Sequence, residues 1–252
     1  FKIYKYFEKL LMKNFNKAYK SSEILKYYAN NRNKWSDFYK SERKVISQLR
    51  IKKNSTILDI GSACGGLGAV LKKRFKVRNY TGVEINKQAF EYAKIINKKF
   101  KFVNTDLLNY QKNEKKHSEF DFVFSLGCID WNFETDKMLK KAWKHVKKKG
   151  FLIITLRLTD IPKFKKSYQY INFSKKLRGE KACYQILYFR KLLKKLENFN
   201  ISKITYNGYW GKANPTVITS HKKIFFIALG LKKNITKKNI YNFKKLEKII
   251  LL

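Results

Sequence analysis

Cysteine, proline and acidic residues are all scarce in this 252-residue chain, which has three cysteines, two prolines and 18 acidic residues. Cys64, Cys128 and Cys183 lie far apart in the sequence, and none belongs to a C-x-x-C pair, so the spacing argues against the usual zinc and dithiol redox sites. Isolated cysteines are typical of reduced thiols and favour a cytoplasmic protein. The chain also has no run of about 18 apolar residues, so we expect no membrane-spanning helix.

The few acidic residues are outnumbered by 58 lysines and arginines, which gives a formal net charge of +40. Such a surface attracts phosphate, so nucleic acid is a candidate partner. However, only eight of the basic residues are arginine, and the lysines are spread along the whole chain together with abundant asparagine and isoleucine. Because these three residue types share A/T-rich codons, genome composition is a sufficient explanation of the charge, and nucleic acid is not the favoured partner.

Short apolar runs alternate with amphipathic segments along the middle of the chain. Strands are predicted at residues 55–60, 79–85, 101–106, 120–127 and 151–158, and helices at residues 67–75, 86–99 and 133–150. Gly150 is the expected stop of the third helix. This alternation with short links predicts an α/β fold with a doubly wound parallel sheet. Two later strands, at residues 201–211 and 223–233, bring the sheet to seven strands, and the last is expected to be antiparallel.

Further segments surround this predicted sheet. Residues 1–50 are expected to form an N-terminal helical cap, because apolar residues near its start recur at helical spacing opposite lysines. The α/β domain then covers residues 51–233, with a tyrosine-rich insertion or lid at about residues 160–182. Residues 234–252 form a basic C-terminal tail. The oligomeric state stays open.

The stretch ILDIGSACGGLG, residues 57–68, holds four of the eleven glycines of the chain. A strand, a tight turn and a helix start in this order bring backbone N–H groups close to a ligand. A phosphate-binding P-loop would need a Lys-Ser or Lys-Thr pair after the glycines, and none is present. A dinucleotide fingerprint would need glycine at Ala63. The turn therefore fits neither of these two nucleotide classes.

The same stretch resembles motif I of the class I S-adenosylmethionine-dependent methyltransferases, h-h-D-h-G-x-x-x-G. Further motifs of that family match over residues 50–158: Glu84 ends the second strand, Asp106 ends the third, FDFVFSLG resembles motif IV and KKKGFLIIT resembles motif V. The resemblance implies a Rossmann-like methyltransferase fold and S-adenosylmethionine as cofactor. It also implies that Glu84 binds both ribose hydroxyls and that Asp106 meets the adenine amino group. The subfamily is not assigned.

One departure from the family pattern concerns motif I itself, where many members carry a third glycine at the position of Ala63. The neighbouring Ser62 and Cys64 are also small, so the methionine end of the cofactor is still expected to fit. The cofactor-binding residues that the resemblance implies are Asp59, Gly61, Ser62, Ala63, Gly65, Glu84, Ile85, Asp106, Leu107 and Ser125.

The acceptor should lie at the carboxyl edge of the sheet, where a nucleophile attacks the activated methyl group in line. Asp130 and Arg157, which follow the fourth strand and end the fifth, are the catalytic candidates. Asp130 could act as a base or hold the proton of the acceptor, and it could equally cap the next helix. An arginine at the end of a buried strand needs a partner, so Arg157 could bind an anionic group of the acceptor or pair with Asp160.

Aromatic residues near the same edge are candidates for the wall of the substrate pocket: Tyr28, Trp35, Trp131, Tyr209 and Trp210. No metal is expected, because Asp160 is followed by Ile161 and Pro162 rather than by the Asp-Asn pair of catechol-type enzymes. The favoured acceptor is a small molecule, for example a sugar or another metabolite hydroxyl. Two alternatives remain open: an RNA methyltransferase that uses the lysine-rich surface, and an inactive cofactor-binding or scaffold protein.

Overall fold

A computed structural model of the protein describes residues 18–110, 119–162, 167–171, 177–236, 238–239 and 241–251. The first part of the predicted N-terminal cap, residues 1–17, lies outside these residues, as do parts of the predicted insertion. Among the residues that the structure describes, no helix combines the length and the apolar character needed to cross a bilayer.

Helices and strands alternate through most of the described chain. The helices are α1 (Ser22–Asn30), α2 (Lys40–Ser47), α3 (Gly66–Phe75), α4 (Lys87–Ile96), α5 (Thr135–Lys144), α6 (Phe189–Leu196) and α7 (Lys244–Leu251). The strands are β1 (Thr56–Ile60), β2 (Asn79–Glu84), β3 (Lys101–Asn104), β4 (Phe120–Ser125), β5 (Val146–Thr159), β6 (Tyr168–Ile171), β7 (Glu180–Cys183), β8 (Leu187–Tyr188), β9 (Ile201–Gly211), β10 (Val217–Ile218) and β11 (Ile224–Lys233).

The main sheet has the strand order β3-β2-β1-β4-β5-β11-β9, and the short β8 pairs with the end of β5. Strands β1 to β5 are parallel, whereas β11 runs antiparallel to both β5 and β9. The predicted doubly wound, mostly parallel, seven-stranded fold is therefore confirmed. The chain leaves β1 toward β2 on one side and returns to β4 on the other, so a crevice is expected at the carboxyl ends of β1 and β4.

The central strands are buried on both faces, as their almost continuous apolar sequence predicts. In β5, Ile154 packs into the core under α5 and α6, while its neighbour Ile153 packs into the core under α2 and α3. In β4, Val123 and Phe124 divide in the same way, and all four side chains are fully buried. The sheet is therefore packed between two layers of helices, and this packing holds the ends of its strands in position.

The predicted third helix is wrong at its C-terminal end, because α5 stops at Lys144 and not at Gly150. Val146 already pairs with Phe120 of β4, and the next residue in register with β4 is Phe151. The intervening lysines bulge outward, and Lys149 takes a left-handed φ of 64°. A Cβ at Gly150 would lie 2.8 Å from the carbonyl oxygen of Asp121, so this glycine serves the contact between strands and not a helix cap.

The region of the predicted insertion contributes β6 and β7, which pair antiparallel and join β10 in a small second sheet. Tyr184, which follows β7, packs against Trp131 with ring centroids 5.5 Å apart. The small sheet therefore lies beside the segment that follows β4. The C-terminal region contributes α7, whose Leu246 is buried in the core under α6.

Candidate active site

A cavity of about 770 Å³ lies at the carboxyl edge of the main sheet. Its wall combines the ends of five parallel strands with residues of the N-terminal cap and of the small sheet. Representatives of these regions are Gly61, Glu84, Asp106, Asp130, Arg157, Tyr28 and Gln169. The volume is that of a pocket for small molecules.

The glycine-rich turn after β1 forms one wall of this cavity. Gly61 and Ala63 both adopt left-handed backbone conformations, with φ of 72° and 45°. The N–H groups of Gly61 and Ser62 donate hydrogen bonds to the carbonyl oxygen of Val83 in β2, at 2.9 and 3.1 Å. Left-handed φ is unfavourable for alanine, so these bonds hold Ala63 in a conformation that its side chain opposes.

Neighbouring protein groups explain why side chains are excluded from this turn. A Cβ at Gly61 would lie 2.7 Å from Sγ of Cys128, and one at Gly66 would lie 2.1 Å from the backbone oxygen of Arg32 in the cap. Gly65, with φ of 77°, faces the side chain of Asn97 and does not line the cavity. The carbonyl oxygen of Gly65 accepts hydrogen bonds from the N–H of Ala69 in α3 and from the side-chain amide of Asn97, and its contact with the cofactor stays a prediction.

Glu84 is buried at the end of β2 and ties the turn to the next helix. Its Oε2 accepts a hydrogen bond from the N–H of Ala63 and its Oε1 accepts one from the N–H of Asn86, both at 2.7 Å. Burial raises the pKa of Glu84, while these backbone donors lower it. The N–H of Ile85 is a third backbone donor to this carboxylate, which has about four acceptor sites in all and so can accept a further hydrogen bond.

Two more acidic residues line the same half of the cavity. Asp59 in β1 is buried and accepts a hydrogen bond from the hydroxyl of Tyr80. Burial raises the pKa of Asp59 to about 7, although the hydrogen bond from Tyr80 opposes this shift. Asp106 accepts the N–H of Leu108 at Oδ1, at 2.7 Å, which orients its carboxylate at the end of β3. Ile85 and Leu107 complete this half of the wall.

Asp130 and Arg157, the two predicted catalytic residues, form a buried ion pair in the opposite half of the cavity. Nε of Arg157 donates to Oδ2 of Asp130 at 2.7 Å, and Nη2 donates to its backbone oxygen at 2.9 Å. Burial raises the pKa of Asp130, and the guanidinium pulls it in the opposite direction. Arg157 therefore does not pair with Asp160, which is exposed. Nor does Asp130 cap α5, since Glu134 occupies the position before that helix.

Aromatic rings hold this ion pair in place. The guanidinium of Arg157 lies 3.7 Å from the ring centroid of Tyr184 and 4.5 Å from that of Trp131. The hydroxyl of Tyr19 in the cap donates to the backbone oxygen of Trp131 at 2.5 Å. Stacking of a cation between two aromatic faces is favourable, particularly where water is excluded. The pair is thus fixed by residues from both ends of the chain.

The N-terminal cap closes over the cavity through a second ion pair. Arg32 donates two hydrogen bonds to the carboxylate of Glu42, at 3.0 and 3.1 Å, and stacks 4.4 Å above the ring of Phe38. In this arrangement the backbone oxygen of Arg32 lies directly against Gly66, and Tyr28 forms part of the cavity wall.

A family model described as a methyltransferase domain matches residues 51–210, which is more than half of the chain. This chain belongs to the class I S-adenosylmethionine-dependent methyltransferases. The matched region begins just before β1 and ends in β9, so it includes every parallel strand end that lines the cavity. S-adenosylmethionine is accordingly its cofactor.

Comparisons with individual proteins agree with this family. Phosphoethanolamine N-methyltransferase 2 of Caenorhabditis elegans is 30% identical over 124 residues, which cover 47% of this methyltransferase and 28% of the relative. A putative methyltransferase of Invertebrate iridescent virus 6 is 29% identical over 97 residues, which cover 38% of this chain and 35% of the relative. The chain spans less than half the length of the curated relatives that it matches.

Solved structures share the fold at low sequence identity. The crystal structure of the [4+2]-cyclase SpnF superimposes with a TM-score of 0.55 at 11% identity, covering 77% of this chain and 81% of that chain. Haemonchus contortus phosphoethanolamine N-methyltransferase 2, in complex with phosphomonomethylethanolamine and S-adenosylhomocysteine, superimposes with a TM-score of 0.54 at 14% identity, covering 77% and 52% of the two chains. At such identities the likeness shows the fold.

The cavity of this methyltransferase fits S-adenosylmethionine in its donor set. Glu84 lines the cavity, and its carboxylate can accept a hydrogen bond beyond those from its backbone donors, which suits a hydroxyl donor. Asp106 presents a carboxylate at the end of β3, beside the apolar side chain of Leu107. Ser62 and Ala63 add only small side chains to the wall on this side. These residues would hold the cofactor along the carboxyl ends of β1, β2 and β3.

Among the predicted aromatic residues of the methyltransferase, Tyr28, Trp131 and Tyr209 line the cavity. Two others do not. Trp35 packs against Phe75 of α3, with Arg74 stacked on its ring at 4.4 Å, and Trp210 packs on Phe225, 5.2 Å away. Trp210 points away because side chains alternate along β9, so that its neighbour Tyr209 takes the cavity side. Ser125 is fully buried in β4 and also lies outside the cavity wall.

Sequence reasoning missed three residues in the half of the methyltransferase cavity that holds Asp130 and Arg157: Tyr19, Gln169 and Tyr184. Tyr19 belongs to the apolar spacing of the cap, and only tertiary contact shows that its hydroxyl reaches Trp131. Tyr184 follows the tyrosine-rich insertion, which is a weak signal for a pocket wall. Gln169 in β6, whose amide donates to Thr216 at 2.9 Å, had no signal in the sequence.

Proposed function

We propose that this protein transfers a methyl group from S-adenosylmethionine to a small polar acceptor that binds beside the Asp130–Arg157 pair. The observation that carries the proposal is the shared cavity: the acids at the ends of β2 and β3 line one half of it, and the ion pair lines the other. When bound, the cofactor supplies an activated methyl group, so catalysis depends mainly on position and on the exclusion of water.

The residues of the chain have distinct roles in this proposal. Glu84 and Asp106 orient the cofactor, and the cap with Tyr28 covers it. Asp130 neutralises the charge of Arg157, and the paired groups form a rigid polar surface that can orient a hydroxyl or an amine of the acceptor. Any base catalysis would fall to Asp130, the carboxylate of this surface.

The acceptor is a small molecule rather than a polymer, because the cavity wall includes the cap, the small sheet and the loop after β9. Sugar or other metabolite hydroxyls remain candidates. The Caenorhabditis elegans relative is named as a phosphoethanolamine N-methyltransferase, so the amine of phosphoethanolamine is a second candidate nucleophile. Both classes carry a proton on the attacking atom, and the carboxylate of Asp130, held in place by Arg157, can accept a hydrogen bond from it.

Turnover with a panel of acceptors tests the proposal. The purified protein is incubated with S-adenosylmethionine and either polyols and sugars or phosphoethanolamine and related amines, and S-adenosylhomocysteine release is measured. We expect one class to be methylated and Glu84→Ala to weaken cofactor binding by about 10- to 100-fold, since a hydrogen-bonded charge is lost. Glu91→Ala, on the exposed face of α4, is the matched control and should bind the cofactor normally.

Two results would contradict the proposal. Cofactor binding without turnover of any small acceptor would favour an inactive binding protein. Methylation of RNA that weakens steeply between about 50 and 200 mM salt would favour the lysine-rich surface as the acceptor site, since phosphate binding depends on salt in this way.

A further inference from the structure

The two edges of the main sheet differ in how many acidic residues they carry. At the carboxyl edge, every parallel strand from β1 to β5 has an acidic residue at or just beyond its end: Asp59, Glu84, Asp106, Asp130 and Asp160. The amino edge, where the connecting segments lead into these strands, has a different composition. Acidic side chains are thus concentrated at the carboxyl edge, although exposed Lys212, Lys222 and Lys223 lie at that edge as well.

Four described segments lead into parallel strands at the amino edge: residues 48–55 before β1, 76–78 before β2, 97–101 at the start of β3 and 145–150 at the start of β5. Together they contain eleven lysines and arginines, all exposed, and no acidic residue. The four segments begin directly after the C-termini of α2, α3, α4 and α5, where a cation also stabilises the helix dipole. We call this surface the basic edge.

The four segments lie along one edge of the sheet, because the strands they lead into follow one another in the order β3-β2-β1-β4-β5. The N–H of Arg78 donates to the backbone oxygen of Lys53 at 3.1 Å, and the N–H of Phe120 donates to that of His145 at 2.8 Å. Asp121, at the start of β4, is half-buried and pairs with Lys147 at 3.3 Å. The start of β4 is an exception, because Glu119 there is exposed and acidic. A lysine-rich genome explains many lysines, but it does not explain why the other four segments lack acidic residues.

Two exposed aliphatic side chains project beside the basic edge. Ile95 and Ile96, in the last turn of α4, are 67% and 47% exposed. Lys98 and Lys99 follow them directly and are exposed as well. Exposed aliphatic residues flanked by lysines suit the boundary between lipid headgroups and acyl chains, because the apolar groups insert while the ammonium groups remain among the phosphates.

The basic edge carries exposed aliphatic side chains rather than exposed aromatic ones, which favours lipid over nucleic acid. Nine of its eleven basic residues are lysines, a ratio close to that of the whole chain, so this ratio does not distinguish the two ligands. The most exposed aromatic residues of the described chain, Tyr27, Tyr39 and Tyr209, belong to the cap and to the carboxyl edge. The basic edge therefore lacks the exposed aromatic platform on which unpaired bases stack.

We propose that the basic edge docks on an anionic phospholipid membrane, with Ile95 and Ile96 inserted at the headgroup level. In this orientation the carboxyl edge, with the cavity and its acidic residues, faces away from the membrane. Docking is electrostatic, reversible and independent of methyl transfer, so it can be tested whether or not an acceptor has been found.

Sedimentation with lipid vesicles tests this docking. The full chain is mixed with phosphatidylcholine vesicles, with and without about 30% phosphatidylserine, at low and at high salt. We expect binding only to the anionic vesicles, and weaker binding at high salt. Lys98→Glu/Lys99→Glu should reduce binding by about tenfold or more, and Ile95→Ser/Ile96→Ser should reduce it without changing the salt dependence.

The matched control is Lys222→Glu/Lys223→Glu, which makes the same charge change on two exposed lysines before β11, at the carboxyl edge. This variant should bind the vesicles nearly as well as the wild type. Equal losses in both lysine variants would overturn the proposal in favour of attraction by overall charge. Preference for polyuridylate RNA over anionic vesicles, lost in Lys98→Glu/Lys99→Glu, would overturn it in favour of nucleic acid. S-adenosylmethionine binding confirms that each variant is folded.

Discussion

The two halves of the cavity are built in different ways. In the cofactor half, Gly61, Glu84 and Asp106 come from consecutive strand ends and are held by backbone hydrogen bonds. In the acceptor half, which surrounds Asp130 and Arg157, both Tyr19 and Tyr184 contact Trp131, although one precedes it and the other follows it by many residues. The cofactor half is thus a product of the repeating strand–turn–helix unit, and the acceptor half depends on long-range contacts between side chains.

The halves also differ in how they hold charge. Glu84 is buried with backbone N–H groups as partners, which follow from the course of the chain. Asp130 is buried with a single charged side chain, Arg157, as its partner. A buried charge with one partner is vulnerable, because removal of the partner leaves the charge uncompensated. Substitutions should therefore separate the two halves.

The largest effect is expected in the acceptor half. Arg157→Met leaves Asp130 buried without its cation and should lower the free energy of unfolding by about 3–5 kcal/mol, measured by urea unfolding. Asp130→Leu/Arg157→Met removes both charges and should recover most of this loss, yet it should abolish acceptor turnover and leave cofactor affinity close to that of the wild type. A double variant as unstable as the single one would show that packing on Tyr184, rather than the unpaired charge, is the cause.

A smaller effect is expected where the cap meets the cofactor half. The Cβ of Gly66→Ala would lie 2.1 Å from the backbone oxygen of Arg32, so the cap must move. We expect a loss of about 1–3 kcal/mol in unfolding free energy and faster proteolysis within residues 18–47, the described part of the cap. Gly211→Ala is the control, because its Cβ would meet side-chain rings and no backbone atom, that of Phe226 at 3.2 Å and that of Tyr209 at 3.4 Å. Equal protease sensitivity in the two variants would mean that the contact with Arg32 does not hold the cap.

The most gradual effect concerns the pH dependence of the cofactor half, where the change is spread over several pH units. The pKa of Asp59 is about 7 in the folded protein, whereas an aspartate in the unfolded chain titrates near 3.9. Between these values the folded state keeps a proton that the unfolded state releases. The unfolding free energy should therefore fall as pH rises from about 4 to 7, by at most about 1.4 kcal/mol per pH unit for this group.

Asp59→Asn isolates this contribution, because the amide oxygen can still accept the hydrogen bond of Tyr80 but does not titrate. Glu84 and Asp130 also have raised pKa values and are unchanged in the variant, so they cancel in the comparison. Unfolding in urea across this pH range should show a shallower decline for the variant. Parallel curves would show that Asp59 is ionised in the folded protein.

The sequence predicted more of the fold than of the site. The parallel strands and the antiparallel β11 were located within a few residues, because apolar runs bounded by glycine or polar residues mark strands buried on both faces. The end of α5 was misplaced because lysines continue past Lys144 and Gly150 resembles a helix stop, while the pairing of Val146 with Phe120 is not visible in the sequence. Trp35 and Trp210 were assigned to the pocket by position alone.

What the sequence determined by itself is the sheet and the acids at its carboxyl edge, since both follow from local periodicity and from the direction of parallel strands. The tertiary structure decided which groups surround those acids: that Arg157 pairs with Asp130, that the cap presses on Gly66, and that Tyr184 joins the wall. The physical reason is that these contacts join segments far apart in the chain. Their geometry depends on how the helices, the cap and the small sheet pack against the main sheet, and local sequence patterns do not specify that packing.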